Sequence, residues 1–168
     1  MAEVRITGGC QCGAVRYALH AEPTYPMICY CRMCQKQFGN VFGAFVSVQR
    51  KDFELTRGTL GRWKSSDIGV RTFCADCGTP MGWDSLDSAK TNTWVSLGSL
   101  DDVEAVKPIA AWGSEGRVSW VDEVMALPVG ATGGGDATAD YRDADRIHPR
   151  THPDHDTADW PPSGGFHG

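Results

Sequence analysis

The sequence lacks the features of several large classes of protein. No apolar run approaches the ~18 consecutive residues that a membrane-spanning helix requires, which argues against a membrane protein. The start of the chain has no basic segment followed by an apolar one, so we find no secretory signal and expect a cytoplasmic location. Basic charge is not in excess: 16 Lys and Arg face 21 Asp and Glu, whereas a nucleic-acid-binding protein normally carries a basic face. We therefore expect neither a membrane nor a nucleic acid as a partner.

Cysteine is too scarce for a disulfide scaffold, and it is clustered. The seven cysteines in 168 residues make up about 4%, against the ~8–10% typical of disulfide-rich domains. A reducing compartment also disfavours disulfides. The cysteines fall at positions 10 and 12, then 29, 31 and 34, then 74 and 77, and such close spacing is typical of metal ligation. The sequence shows no Ser–His–Asp arrangement, phosphate-binding loop or dinucleotide fingerprint.

Composition divides the chain into residues 1–128 and 129–168. The second part contains no Leu or Met, is rich in Gly, Pro and Asp, and carries seven Asp against three Arg. Such a segment buries too little apolar surface to offset its ordering entropy, so we predict a disordered tail. Histidine-rich tracts can bind metal, but in this tail we predict that His148, His152 and His155 are solvated.

The first part is predicted to be mainly β, with one short helix. Alternating apolar residues predict strands near residues 14–19, 42–48 and 93–97, and turn signals at 8–9, 57–58, 67–69 and 101–102 separate such runs. The helix is expected over about Arg32–Phe38 and is closed by Gly39 and Asn40. A small β domain with long connections gains stability from a metal that ties its loops together.

Cys10 and Cys12, together with Cys74 and Cys77, predict a closed metal site. Residues i and i+2 of an extended segment point to one face, and a Cys-x-x-Cys turn followed by Gly78 brings two sulfurs together. Four thiolates around one ion leave no open position, which describes a structural zinc. The alternative is that these are four free core cysteines.

Cys29, Cys31 and Cys34 predict a second, open site. A strand that runs into a helix at Cys31 would aim all three sulfurs at one point. Three protein ligands leave one position of a tetrahedral zinc free for water or a thiol substrate, as in catalytic sites. The alternatives are a redox pair of Cys31 and Cys34 with a bystander, a second structural site with an unrecognised ligand, and unmetallated thiols.

Polar residues near these cysteines are candidates for binding an anionic thiol such as glutathione. Arg71 is the strongest, because arginine binds carboxylates bidentately and the closed site would hold it in place. Further candidates are Ser65, Ser66, Gln35 and Lys36. We expect five tryptophans to be mostly core or pocket wall, namely Trp63, Trp83, Trp94, Trp112 and Trp120.

These motifs together resemble the glutathione-dependent formaldehyde-activating family, which includes the centromere protein V group. The resemblance covers about residues 6–128, and all seven family cysteines are present at family spacing. It is carried by Gly9–Tyr17, Cys29–Cys34, Ser65-Ser66, Arg71–Gly78, Gly98–Asp102 and the Trp120 region.

The resemblance implies a β-tent fold and two zinc ions per chain. It implies a structural zinc on Cys10, Cys12, Cys74 and Cys77, and a catalytic zinc on Cys29, Cys31 and Cys34. It also implies a carbon–sulfur lyase of the S-(hydroxymethyl)glutathione synthase type, which interconverts formaldehyde plus glutathione with S-hydroxymethylglutathione. Family members often carry a His-Ile pair shortly after the position of Pro108, where this chain has Ile109-Ala110-Ala111-Trp112.

Two other functions compete with a zinc-dependent lyase. One is a non-catalytic zinc module that binds a protein partner, and the other is a thiol–disulfide oxidoreductase that uses Cys31 and Cys34. Membership of so broad a family fixes neither the thiol nor the aldehyde.

Overall fold

Two β-sheets form the frame of the protein. The computed structural model describes residues 5–129 and 149–161, and the elements below all lie in the first range. The strands are β1 (Ile6–Gly9), β2 (Arg16–Leu19), β3 (Thr24–Cys29), β4 (Gly43–Gln49), β5 (Phe53–Arg57), β6 (Gly61–Ser66), β7 (Gly69–Phe73), β8 (Pro80–Ser85), β9 (Asn92–Ser96) and β10 (Ala110–Trp112). The helices are α1 (Arg32–Phe38) and α2 (Val121–Met125).

The smaller sheet has the order β1-β2-β5, and the larger has the order β10-β3-β4-β9-β8-β7-β6. Neighbouring strands are antiparallel except β10 and β3, which run parallel. A parallel pair needs a long connection, and here strands β4 to β9 fill it. The C-terminal end of β3, where Cys29 lies, is thereby placed between β4 and β10.

The core lies where the two sheets face each other. Tyr17 and Leu19 of β2 pack with Val46 of β4 and Val95 of β9, and all four are almost fully buried. The hydroxyl of Tyr17 is hydrogen-bonded to Ser99 Oγ at 2.9 Å, which satisfies its polar end inside this core. Two of the clustered cysteines, at positions 10 and 74, belong to the same apolar cluster.

The prediction of a mainly β fold with a short helix over residues 32–38 is confirmed. The strands predicted individually correspond to β2, β4 and β9 and to the strand before the helix, β3, whereas the other strands and α2 were not foreseen. Gly8 and Gly9, predicted as a turn, lie in β1, where a side chain on Gly8 would collide with Tyr17 and the Ser99 carbonyl. Close packing against the core therefore explains this glycine better than a turn does.

Residues 149–161 lie against the small sheet and the first cysteine pair. His152 is only 4% exposed, and its backbone N–H donates to the Gln11 carbonyl at 2.7 Å. Asp156 accepts hydrogen bonds from Arg16 at 3.0 Å and from Arg5 at 2.7 Å. The predictions of a disordered tail and of a solvated His152 therefore do not hold for this segment.

Amino-acid composition did not predict the packing of this segment, because composition shows how much apolar surface is available and not which polar groups of the domain the segment contacts. Trp160 donates its indole N–H to the Cys12 carbonyl, and Arg57 donates to the Thr157 carbonyl, so the domain supplies fixed partners for a polar segment. Residues 130–148, including His148, and 162–168 lie outside the described residues. The domain boundary after residue 128 stays a prediction.

Neither helix in the described ranges is long and apolar enough to span a bilayer.

Candidate metal centres and adjoining cavities

The four cysteines predicted to form the closed site do converge. Cys10 follows β1, Cys74 follows β7, and the sulfur atoms of Cys10, Cys12, Cys74 and Cys77 all lie within 4.8 Å of one another. The backbone reverses at Gly78, whose φ of 77° lies in the left-handed region that glycine adopts without strain. The Gly78 N–H donates to the Cys74 carbonyl at 3.0 Å and closes this turn.

The spacing of these sulfurs fits a tetrahedral thiolate site. Zn–S bonds of ~2.3 Å place the sulfurs of a tetrahedron about 3.8 Å apart. The Sγ atoms of Cys10 and Cys12 are 3.6 Å apart, and those of Cys12 and Cys74 are 3.9 Å apart. The chain could therefore hold a zinc ion here with little rearrangement of these side chains.

Burial and neighbouring groups set the protonation of this cluster. Burial raises the pKa of Cys12 to about 12, and the neighbouring thiols of Cys77 and Cys10 add to that rise. Cys77 is exposed, and although its partial desolvation opposes ionisation, hydrogen bonds from Thr79 and Cys12 outweigh this and lower its pKa to about 6. Without a positive ion, the cluster thus holds a thiolate beside a thiol, whereas a cation would favour the ionised form of all four.

The second group, called here the Cys29 trio, consists of Cys29, Cys31 and Cys34. Cys29 ends β3, Cys31 is the residue before α1, and Cys34 lies in the first turn of α1. Their three sulfurs lie within 4.8 Å of one another. The predicted strand-to-helix arrangement of this group is therefore present.

The turn that carries the Cys29 trio is braced by a segment distant in sequence. The Tyr30 N–H donates to the Trp112 carbonyl at 2.8 Å, and the Gln35 amide donates to the Gly116 carbonyl at 2.8 Å. Gly113, at a φ of 71°, comes so close to Cys31 that a Cβ there would lie 2.5 Å from the Cys31 nitrogen. Gln35, predicted as a substrate contact, is buried and serves as a brace instead.

Arg71 is buried beside the Cys29 trio. Its Nη2 donates to Cys34 Sγ at 3.4 Å, and its Nη1 donates to the Gln37 side-chain carbonyl. A role for Arg71 near the functional cysteines was predicted, but its contact with a cysteine sulfur was not. Its contact with glutathione stays a prediction.

Burial and neighbouring groups set the protonation of the trio. Burial raises the pKa of Cys29 to about 12. Burial also opposes ionisation of Cys31, but hydrogen bonds from the Cys34 amide and the other two thiols outweigh it and lower its pKa. For Cys34, burial outweighs the opposing effect of Arg71, so its pKa is raised. Cys29 and Cys34 are therefore harder to ionise than a free cysteine, and a bound cation would favour their thiolate forms.

Two cavities are lined by Arg71, and the first of them also adjoins the trio. The first, of about 280 Å³, is also lined by Cys29, Cys34, Trp83 and Trp94. The second, of about 430 Å³, carries cationic side chains from Lys36, Arg62 and Arg71 beside Trp63. The closed cluster has a different neighbour, a cavity of about 600 Å³ whose lining includes Cys10 and Cys77.

The other predicted candidates are divided among these places. Ser65 and Ser66 line the first cavity and Lys36 lines the second. Trp83 and Trp94 line the first cavity, and Trp63 lines the second although much of it is exposed, so these three form pocket wall as predicted. Trp112 and Trp120 are exposed instead. Among the described residues, the grouped metal-ligating side chains are all cysteines, so His152 and His155 join neither cluster.

The segment 109–112, where the resemblance leads us to expect a histidine, lies beside the trio. β10 pairs with β3 in a register that sets Ala111 opposite Ile28 and Trp112 opposite Cys29. The family position is therefore one strand away from a trio cysteine, and this chain presents a methyl group there.

Comparisons with known proteins place the chain in a family. No curated protein matches it. Among solved structures, it is similar to the crystal structure of a Rhodobacter sphaeroides protein at 21% identity and a TM-score of 0.49, with coverage of 64% of this chain and 99% of the other. The family model described as "Glutathione-dependent formaldehyde-activating enzyme" matches residues 5–114, a range that includes all seven cysteines and Arg71. The chain therefore belongs to the glutathione-dependent formaldehyde-activating enzyme family.

Proposed function

We propose that the protein is a zinc-dependent carbon–sulfur lyase that joins a small thiol to an aldehyde, with glutathione and formaldehyde as the family substrates. The observation that carries this proposal is the contrast between the two cysteine clusters. One has four sulfurs and is complete, while the other has three sulfurs, of which Cys29 and Cys34 line a cavity. A three-sulfur cluster open to a cavity suits substrate binding better than a purely structural role.

Each cluster would bind one zinc ion, which makes two zinc ions per chain. When bound at the trio, zinc supplies positive charge that favours the thiolate form of a nearby thiol near neutral pH. The nucleophilic thiol sulfur adds to the aldehyde carbon, the carbonyl π bond opens, and the thiol proton ends on the oxygen. Three thiolates and one divalent ion carry a net charge of −1, and the Arg71 guanidinium beside Cys34 offsets it.

The cationic cavity beside Arg71 supports an anionic thiol such as glutathione as the substrate. Lys36, Arg62 and Arg71 all line this cavity, with Arg62 also paired with Asp84 at 2.9 Å, and carboxylates bind best where such donors are already in place. Trp63 offers an adjoining apolar face. The reducing cytoplasm, which contains millimolar thiols and keeps the seven free cysteines reduced, is the location we propose.

A non-catalytic binding module is the second candidate, because apolar side chains are exposed near the end of the family domain. Trp112 and Met125 are each more than half exposed. Large exposed apolar side chains can contribute to an interaction surface. Under this hypothesis, glutathione would leave the spectrum of the cobalt-substituted protein unchanged at millimolar concentration.

The decisive experiment measures zinc per chain by native mass spectrometry with and without glutathione, alongside catalysed adduct formation. Two zinc ions and a glutathione adduct that disappears in Cys34→Ser support the proposal. A Cys34→Ser protein that binds one zinc fewer yet keeps full activity contradicts it. Thiol–disulfide exchange that the protein catalyses after removal of metal by a chelator would instead favour an oxidoreductase that uses Cys31 and Cys34.

A further inference from the structure

The cavity between the Cys29 trio and the strands β8 and β9 has mainly apolar walls, although formaldehyde, the family substrate, is small and polar. It has a volume of about 280 Å³ and is called here the Trp83–Trp94 cavity. Its apolar walls come from Met27, Met33, Phe45, Ile68, Trp83 and Trp94. Two thioethers, two indoles, a phenyl ring and a branched aliphatic group thus surround one end of the trio.

Several polar groups in this lining have partners within the protein. The Ser65 hydroxyl donates to the Gly69 carbonyl, and the Ser66 hydroxyl accepts from the Ile68 N–H. Arg71 donates to Cys34 and Gln37. Most of the remaining lining is apolar, so water inside the cavity gains few hydrogen bonds beyond those that the two indole N–H groups offer, and an apolar group gains by displacing it.

The aromatic walls are held in position before any ligand arrives. Trp83 and Trp94 are directly opposite each other in the β8–β9 register, so their positions are fixed by the sheet. Gly69 packs against the Trp83 indole so closely that any side chain there would collide with it. The Trp94 ring meets the Tyr25 ring edge to face at a centroid distance of 6.3 Å. Because these side chains need not reorganise on binding, the cavity favours ligands whose apolar part fits its existing shape.

The size of the cavity limits that guest. Pockets for drug-sized ligands begin at roughly 300 Å³, so this cavity suits a single ring or a branched alkyl group. Formaldehyde has one carbon and is too small to fill the space between these walls. Wall atoms without a neighbour lose their dispersion contacts, so a larger apolar group would bind more favourably.

From this geometry we propose that the Trp83–Trp94 cavity binds an apolar, ring-sized group of the substrate, carried by the aldehyde or by the thiol. The inference rests on the proposed thiol–aldehyde reaction and narrows its substrate class. The chemistry is unchanged: a C–S bond forms, the carbonyl π bond breaks, and the thiol proton is transferred to the former carbonyl oxygen. No oxidant or reductant is needed.

The test compares three substrate pairs by NMR exchange spectroscopy, measuring acceleration of adduct exchange over the uncatalysed rate. They are glutathione with formaldehyde, glutathione with phenylacetaldehyde, and benzyl mercaptan with formaldehyde. We expect about a tenfold or greater gain in kcat/KM for a pair that carries the ring, as filling an apolar pocket commonly gives. A gain in the second pair assigns the group to the aldehyde, and a gain in the third assigns it to the thiol.

Two isoleucines provide a matched pair of variants. Ile68 lines the cavity and is 71% exposed, whereas Ile109 is 72% exposed and lies outside the cavity lining. We expect Ile68→Ser to lower the ratio of ring-bearing to formaldehyde-only kcat/KM several-fold, and Ile109→Ser to leave the ratio unchanged.

A binding measurement separates this inference from the proposed function. Benzyl alcohol, which lacks a thiol and an aldehyde, is titrated while tryptophan fluorescence is recorded. Binding that weakens in Ile68→Ser and persists in Ile109→Ser supports the apolar site even if none of the three pairs reacts. Activity with the first pair alone, and no saturable binding of benzyl alcohol, would overturn the inference and leave the proposed function standing.

Discussion

Arg71 Nη2 lies 3.4 Å from Cys34 Sγ and joins β7 to the first turn of α1. The contact places a fixed positive charge against a cluster whose three sulfurs otherwise repel one another when ionised. Because Arg71 is buried, water screens this charge little. The Arg71 guanidinium thus contacts the trio and also lines both cavities.

Arg71→Gln is therefore expected to weaken metal binding at the trio about 10- to 100-fold, the usual cost of losing a residue that supports metal ligands. Arg71→Lys should be intermediate, because it keeps the charge and loses the forked geometry. Competition with a chromophoric chelator would measure this, with Arg50→Gln as the control on an exposed side chain. Equal affinity in Arg71→Gln and the control would show that the guanidinium does not support the trio.

Cys77→Ser is expected to abolish stable folding. Its cluster ties Cys10 and Cys12 to Cys74 and Cys77, two pairs about 60 residues apart, and metal binding in such sites is inseparable from folding. Thermal unfolding followed by circular dichroism, with metal content, checks the prediction. Cys31→Ser, which alters the other cluster, should still melt cooperatively. A Cys77→Ser protein that melts cooperatively near the wild-type temperature would contradict it.

Asp101→Asn is expected to destabilise the protein by about 3 kcal/mol. Asp101 accepts two hydrogen bonds from the buried Arg16, at 2.7 and 2.5 Å, and without the Asp101 charge the buried Arg16 keeps only Asp156, at 3.0 Å, as an ionic partner. For a chain of this size the loss lowers Tm by roughly 6–12 °C. Asp102→Asn is the matched control, because its exposed carboxylate accepts only nearby backbone N–H groups.

The pair also predicts a pH dependence. Burial opposes ionisation of Asp101, but hydrogen bonds from Arg16 and Thr7 outweigh it, so its pKa in the folded protein lies below the ordinary 3.8. The stabilisation is therefore complete above pH 3.8 and is lost as the pH falls through the folded value. The difference in unfolding free energy between wild type and Asp101→Asn should be constant from pH 7 to 5 and shrink below pH 3.8. A difference that grew on acidification would contradict this assignment.

Truncation after His148 is expected to lower Tm by several degrees. It removes the ion pair between Asp156 and Arg16, the buried His152 and the Trp160 indole that bonds the Cys12 carbonyl. Composition alone predicts an unchanged Tm. A second truncation after Pro161 keeps every contact just named and is the control. If both truncated proteins melted like the full chain, these contacts would contribute nothing to stability.

Local patterns in the sequence were enough to predict the two cysteine clusters and the helix. Cys29, Cys31 and Cys34 fall within a segment of six residues, so their convergence depends on one strand-to-helix junction, and α1 begins and ends where its residues predict. The pairing of Cys10 and Cys12 with Cys74 and Cys77 spans the chain, but a four-thiolate site has few other ways to be completed.

Distant contacts were beyond such patterns. Gln35 has the polarity of a surface residue, and only the approach of residues 113–116 shows that it braces the trio. Asp156 and Trp160 lie in a segment whose composition indicates disorder, and their partners Arg16 and Cys12 are about 140 residues away. Tertiary hydrogen bonds of this kind leave no local periodicity from which to predict them.

The different spans of the two clusters determine when each becomes complete during synthesis. The trio exists in full once residue 34 has left the ribosome, whereas the closed cluster must wait for residue 77, after seven strands have been made. Cys10 and Cys12 thus lack their partner cysteines for as long as the next 60 or so residues take to emerge. In the proposed two-zinc protein, a nascent chain that acquires metal early would bind it first at the trio, and the proposed structural zinc would bind second.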